Sequence, residues 1–323
     1  MTETVRQVIS VVVPAYNEEA VLPEFHRRIV MLFDELPDYD CEVVYVNDGS
    51  LDGTQGIISS LAAIDERVSS VDLSRNFGKE IAMTAGFDHA RGDAVIVIDA
   101  DLQDPPELIR ELIREWKNGY DVVYATRTVR EDETWLKKTT AAWFYRLIQV
   151  VSRVRIPANT GDFRLMSRRS VNALLTLREQ HRFMKGLFAW VGFPSKAVPY
   201  PRDPRFAGET KFNYWKLWNF ALEGITAFTI APLKVATYFG LFTAFFAFSY
   251  GIWIIFKTLV YGDIVRGYPT IMVTMLFLGG VQLFFIGVVG EYVGRIFNET
   301  KARPLYFVKG YNPSRVAKKR NCS

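Results

Sequence analysis

VIVIDADLQDPPEL, residues 95–108, sets an apolar run directly against a crowd of acids. The Val/Ile run reads as a strand buried on both faces of a sheet. Asp99, Asp101 and Asp104 then follow within six residues. Carboxylates gathered at a strand end are costly unless a cation or hydrogen-bond donors satisfy them. One reading is a solvated loop in which Asp104 caps a helix. The other is a divalent-metal site.

The pattern repeats on either side. VISVVVP (8–14), CEVVYVN (41–47), VSSVDLS (68–74), AVIVIDA (94–100) and DVVYAT (121–126) are strand-like. Helical stretches at about 18–36, 54–64, 79–90 and 106–118 separate them. Buried strands alternating with helices specify an α/β fold with a mostly parallel sheet. Ligands of such folds bind beyond the carboxyl ends of the strands. The polar residues cluster there: 16–19, 47–50, 75–79, 99–103 and Arg127.

The first strand runs into PAYNEEA, not the G-x-G-x-x-G of a dinucleotide fold, and no G-x-x-x-x-G-K-[ST] loop occurs. A nucleotide in this crevice would need another device to hold its phosphates, and a metal can supply it. Asp101 and Gln103 offer a carboxylate and a neutral oxygen, a set suited to Mg2+ or Mn2+ together with substrate phosphates. Asp104 precedes Pro105-Pro106 and sits three before Glu107, which suits a helix start. A D-x-D pattern alone is common by chance; after a buried strand and before a helix it carries more weight.

Composition excludes several classes. A formal charge of +4 in 323 residues, with no long basic run in the body of the chain, does not suit a nucleic-acid binder. Cys41 and Cys322 lie too far apart to give a zinc spacing or a disulfide framework, and the three histidines are isolated. The N-terminal apolar run, with only Arg6 ahead of it and cut by Pro14, does not read as a signal peptide. Residues 235–256 and 267–290 carry no charge, and each run is long enough to span a bilayer as a helix. Eight Lys and Arg between Arg295 and Arg320 place the segment after the second span in the cytoplasm. A two-helix hairpin returns the preceding residues to the same side. Gly290 and Gly294 form a weak small-xxx-small packing signal.

VVVPAYNEE, VNDGSLDGT, NFGKEIAMTAGF, DADLQDPP, GDFRLMSR and RFAGETKF occur in this order ahead of the hairpin. With them the chain resembles glycosyltransferase family 2, in particular the enzymes that load one sugar onto a polyprenyl phosphate. Bactoprenol (undecaprenyl-phosphate) glucosyltransferases are the nearest likeness, and dolichyl-phosphate mannose synthases are related. The resemblance implies a GT-A nucleotide-sugar domain over 1–212, an interfacial amphipathic helix over 213–232, two transmembrane helices over 233–292 and a cytoplasmic basic tail over 293–323. It also implies a bacterial inner-membrane enzyme and a homo-oligomer such as a tetramer.

By the same resemblance Pro14, Tyr16, Glu18, Val46 and Asp48 would form the base and ribose pocket of a UDP-sugar. Asp99 and Ala100 would sit beside the ribose and diphosphate, and Asp101 with Gln103 would hold Mg2+ or Mn2+. Arg127, Arg205 and Lys211 would grip phosphates, with Gly208 letting their loop close; Thr210 and Phe212 replace the more usual Ser and Tyr. Asp162 and Arg164 would be catalytic. A phosphate monoester has a second pKa near ~6 and is already a nucleophile at neutral pH, so Asp162 is as well suited to positioning as to proton abstraction. The expected reaction is a single inverting transfer of a hexose, with glucose from UDP-glucose as the first expectation and other donor sugars as alternatives.

Residues 135–154 and 214–230 carry helical apolar stripes flanked by basic residues or tryptophans, and both suit a membrane interface. The first equally suits a core-facing helix. A processive polysaccharide synthase would share the fold, but Q-x-x-R-W and a larger membrane region are missing. A non-catalytic scaffold would not need the full motif set, and a nucleotidyltransferase fits the motif order poorly.

Overall fold

The computed structural model describes residues 6–127, 160–200, 231–261 and 267–321. The strands β1 (Gln7–Ala15), β2 (Tyr39–Asn47), β3 (Val68–Leu73) and β4 (Ala94–Val97) fall where the apolar runs lie. Helices α1 (Leu22–Asp34), α2 (Thr54–Ile64) and α3 (Lys79–His89) alternate with them, and α4 (Ile109–Lys117) follows a 3-10 turn at Pro106–Leu108. Strand β5 (Val122–Arg127) is joined in the sheet by β6 (Thr160–Ser167) and β7 (Ser195–Tyr200), with α5 (Arg168–Thr176) and α6 (Met184–Trp190) between those two.

The sheet order is β7-β5-β6-β4-β1-β2-β3-β8, where β8 is Val308–Asn312. The pairs β1–β2, β1–β4, β2–β3 and β5–β7 are parallel. Strand β6 runs antiparallel between β4 and β5, and β8 runs antiparallel to β3. The sheet is therefore mixed around a parallel centre. The GDFRLMSR motif lies on β6 and in the first residue of α5.

Alternation along the strands sends side chains into two cores, one on each face. Ile9, Val11, Val13, Val43 and Ile96 pack with α1 and α4. Val12, Val44, Val46, Val95 and Val97 pack with α3, α5 and α6. Each such side chain contributes about 1.5–3 kcal/mol by leaving water. Helix α3 lies unusually close to the sheet: a Cβ on Gly86 would stand 2.2 Å from Val12 Cγ1. Only glycine permits that approach.

Two long helices follow, α7 (Ala231–Tyr261) and α8 (Tyr268–Thr300). Their segments Leu233–Trp253 and Phe277–Thr300 are long and apolar enough to cross a membrane, and neither is buried among the described residues. Phe242, Phe245, Phe248, Leu283, Phe284 and Ile286 are exposed along them, as expected of helices associated with lipid. No described atom lies within 4 Å of a Cβ built on Gly290 or Gly294, so this pair does not pack α8 against α7.

The segment after α8 is not a free tail. Strand β8 completes the sheet edge, pairing Val71 with Tyr311 and Asp72 with Gly310. Behind it, the Ser314 hydroxyl donates to Glu42 Oε2 at 2.7 Å, and Ser314 N donates to Ser69 Oγ at 2.9 Å. Glu42, fully buried, also accepts from Ser10 Oγ and Arg91 N at 2.6 and 2.8 Å. Helix α9 (Arg315–Asn321) is the last described element. Since residues before and after α7 and α8 belong to one sheet, both ends of the helix pair lie on the same side of any membrane they cross. The amphipathic stretches 135–154 and 214–230 lie outside the described residues.

Candidate active site

The crevice is knitted from the loops that follow the parallel strands. After β1, Asn17 adopts a left-handed φ of 55°, which asparagine tolerates better than most residues. Asn17 Oδ1 accepts from Leu51 N at 2.9 Å, and Glu19 Oε2 accepts from Gly53 N at 2.7 Å. The YNEE and DGSLDG loops thus form one wall. Asp48, at the end of β2, is buried and accepts from Phe77 N and Gly78 N at 2.7 and 2.9 Å. Burial raises its pKa above the ordinary carboxylate range, although both N–H groups and Arg75 oppose the rise. Its carboxylate fixes the turn that starts α3, where Gly78 has a φ of 95°.

These loops enclose a cavity of about 250 Å³ lined by Pro14, Tyr16, Glu18, Asp48, Lys79, Asp99, Ala100 and Asp101, among others. Seven of the residues expected around a nucleotide sugar therefore meet in one place. Val46 does not join them. It is buried against α3, close under Gly86.

Strand β4 stops at Val97, so strand geometry does not continue through the acids. The chain turns instead, with buried Leu102 at φ 56°, a conformation costly for a branched side chain and held here by its packing. Asp101 Oδ1 accepts from Gln103 N at 3.1 Å. Gln103 Oε1 is buried and accepts no hydrogen bond among the described residues. An orphaned amide oxygen beside a half-buried carboxylate fits a hard divalent cation that takes its other ligands from water and phosphate. Among the described residues no group of three or more His, Cys, Asp or Glu could hold a metal alone.

Asp104 does something other than capping. Pro105 occupies the N-cap of the 3-10 turn, with no side-chain cap, and buried Asp104 accepts the Tyr200 hydroxyl from the end of β7. Pro105, not Asp104, therefore holds the N-cap position, and the buried Tyr200 phenol finds its partner in Asp104.

The other wall comes from β6. The antiparallel β4–β6 pairing ends at Val97 with Arg164, and Asp99 and Asp162 both lie just beyond that last pair. Neighbouring like charges repel. Lys79, the first residue of α3, resolves the conflict: its Nζ lies 2.6 Å from Asp99 Oδ1 and 2.5 Å from Asp162 Oδ2. Burial works against charge on both partners, but the attraction outweighs it. The Lys79 ammonium is held protonated well above the ordinary lysine range. The Asp162 carboxyl falls to about 2 under Lys79, Lys185 and Arg164. Asp162 Oδ1 is buried and accepts no hydrogen bond among the described residues.

Arg164 lies behind Asp162. It is 5% exposed, stacks on Phe188 at 3.8 Å and donates to the carbonyls of Gly161 and Asp162 at 2.9 and 3.3 Å. Burial brings its pKa down to about 10. In this arrangement it supports the backbone that carries Asp162. Arg127 ends β5; Arg205 and Lys211 lie outside the described residues.

The sequence places Lys79 among the polar residues beyond the strand ends but assigns no role to it or to Glu80. Glu80 Oε2 accepts from Met184 N at 2.8 Å, joining α3 to α6. Burial and the Asp162 charge raise its pKa to about 7. The available signal was their position just after Gly78, at the mouth of the crevice.

Comparison with known proteins agrees with this geometry. Glycosyl transferase family 2 matches residues 10–175, and the GtrB C-terminal hairpin matches residues 231–296. The bactoprenol glucosyl transferase of Shigella phage SfX is 53% identical over 301 residues, covering 93% of this chain and 98% of its own. The prophage bactoprenol glucosyl transferase homolog of Escherichia coli K12 is 52% identical over 301 residues, again 93% and 98%. An uncharacterized glycosyltransferase of Synechocystis is 53% identical over 300 residues, 93% and 94%. The chain belongs to glycosyltransferase family 2, as a glycosyltransferase with a GT-A catalytic domain and a GtrB-type C-terminal hairpin.

Proposed function

We propose that the protein transfers one hexose, glucose from UDP-glucose, to undecaprenyl phosphate at the cytoplasmic face of the bacterial inner membrane. The observation that carries this reading is the pairing of the two walls: a cavity of about 250 Å³ is lined by Lys79 and Asp99, Lys79 also pairs with Asp162, and the last strand of the same sheet is supplied by the chain returning from the hairpin. A lipid-borne phosphate can thus meet a sugar nucleotide without leaving the bilayer. The bactoprenol glucosyl transferase relatives support this acceptor and this sugar. The eight basic residues after the second span favour a cytoplasmic site.

In the proposed reaction a phosphate oxygen of the acceptor attacks the anomeric carbon from the face opposite the leaving group. The bond from that carbon to the diphosphate breaks, its electron pair departs with UDP, and the configuration inverts. A monoester dianion needs no proton removed. Asp162, ionised beside Lys79, is suited to holding the acceptor or stabilising positive charge on the sugar ring. Its buried Oδ1 accepts no hydrogen bond among the described residues, so its accepting capacity is unused. Asp101 and Gln103 would hold Mg2+ or Mn2+, which when bound neutralises the departing diphosphate. Pro14, Tyr16, Glu18, Asp48, Asp99 and Ala100 would surround the nucleoside, and Arg127, Arg205 and Lys211 would contact phosphates. Val46 would act only from beneath, as part of the core under α3. A homo-oligomer is proposed on the family likeness.

The test is incubation of purified protein with undecaprenyl phosphate and a panel of nucleotide sugars, followed by mass spectrometry of the lipid. A glucosylated undecaprenyl phosphate formed from UDP-glucose supports the reading; another sugar corrects the donor. No glycolipid from any donor overturns it.

A further inference from the structure

Two anions must approach each other in this crevice, the acceptor phosphate and the departing diphosphate, beside two carboxylates that already oppose one another. An ammonium has three N–H donors. Lys79 Nζ lies 2.6 and 2.8 Å from the two oxygens of Asp99, which can share one N–H, and donates another to Asp162 Oδ2 at 2.5 Å; its side chain is 44% exposed and lines the cavity. The remaining donor can meet a phosphate oxygen without breaking either ion pair. Arg164 is poorly placed for that task, being buried against Phe188 and committed to two backbone carbonyls. Lys79 is also firmly aimed: Asp48 fixes Phe77 and Gly78 just before it, and Gly86 seats α3 on the sheet.

We propose that Lys79 is a phosphate-binding residue of the transfer step, giving its third N–H to a phosphate oxygen while Asp99 and Asp162 hold it in place. This rests on the reading of the protein as a polyprenyl-phosphate glycosyltransferase. The acceptor monoester and the donor diphosphate present the same oxygen chemistry, and separate Michaelis constants distinguish them. It differs from a purely structural bridge, which would neutralise the two carboxylates and touch no substrate.

The experiment measures kcat and KM for UDP-glucose and for undecaprenyl phosphate in the full-length enzyme and in Lys79→Met, Lys79→Gln and Lys79→Arg. Loss of a charged hydrogen bond should raise one KM at least about tenfold in the Met and Gln variants. Lys79→Arg, which keeps the charge, should recover most of that loss. A rise confined to undecaprenyl phosphate assigns the contact to the acceptor, and one confined to UDP-glucose assigns it to the donor. The proposal is overturned if kcat falls with both KM values unmoved, or if Lys79→Arg is as impaired as Lys79→Met. The glutamine variant keeps the test valid should Lys79→Met fail to fold. Failure of the parent enzyme to form glycolipid would instead remove the functional reading itself.

Discussion

The two walls of the crevice are built differently. The nucleotide wall, at the ends of β1, β2 and β4, is held largely through backbone groups: Asp48 receives two main-chain N–H groups, and Asn17, Glu19 and Asp101 receive one each. The opposite wall depends on single side chains reaching far along the sequence. Lys79 and Asp162 are 83 residues apart, and Glu80 and Met184 are 104 apart. Farther out, Gln180 N donates to Glu299 Oε1 at 2.8 Å across 119 residues, tying this wall to the end of α8. Replacing an acceptor on the first wall leaves a neutral N–H without its partner, whereas replacing one member of the Lys79 bridge leaves a charge unpaired, which costs more. Substitutions on the β6 side should therefore strike activity harder, and those under α3 should strike stability.

The largest expected effect is Asp162→Asn, which keeps size but removes the charge paired with Lys79. Transfer should fall by at least about 100-fold, with the KM for the sugar nucleotide within about twofold of the parent; steady-state kinetics of glycolipid formation reads both. Equal damage to donor binding would show that the walls are not separable. Next is Gly86→Ala. A methyl placed 2.2 Å from Val12 Cγ1 overpacks the seat of α3, the element common to both walls. A loss of about 1–3 kcal/mol is expected in denaturant unfolding.

Glu80 gives a pH signature for the long-range wall. Its folded pKa of about 7 stands above the ordinary 4.5, so the native state holds a proton that the unfolded chain has released. Its contribution to stability is therefore fully present below pH 4.5, declines up to about pH 7 and is lost above. Glu80→Gln should flatten that decline, raising the thermal midpoint relative to the parent at pH 8 more than at pH 5. An unchanged difference between the two pH values would refute the assignment. Smallest is Ser314→Ala, which removes one donor from buried Glu42 and should cost about 1 kcal/mol of catalytic-domain stability in the same unfolding assay.

Legibility followed the same divide. Continuous Val/Ile runs marked β1 to β4, and α2 was bounded at Thr54–Ile64 as read, because local pattern and burial agree there. Position at strand ends gathered the polar stretches 16–19, 47–50 and 99–103, and the family resemblance singled out Pro14, Tyr16, Glu18, Asp48 and Asp99–Asp101. Strand β8 was not legible: VKGYN is short, polar and mostly exposed, and only its partner β3 makes it a strand. Asp104 misled because its partner, Tyr200, lies 96 residues away. Lys79 could be placed beyond a strand end but not given a role, because its partner Asp162 lies 83 residues away.

The account depends most on Asp101 and Gln103 acting together as a cation-binding pair in sugar transfer. The decisive measurement is glycolipid formation by Asp101→Ala/Gln103→Ala at saturating UDP-glucose and undecaprenyl phosphate, across a titration of Mg2+ and of Mn2+. The parent enzyme should require the metal and lose activity with a chelator, while the double variant should fall by about 100-fold or more at every metal concentration. Parent-level transfer by the variant, or metal-independent transfer by the parent, would contradict the account.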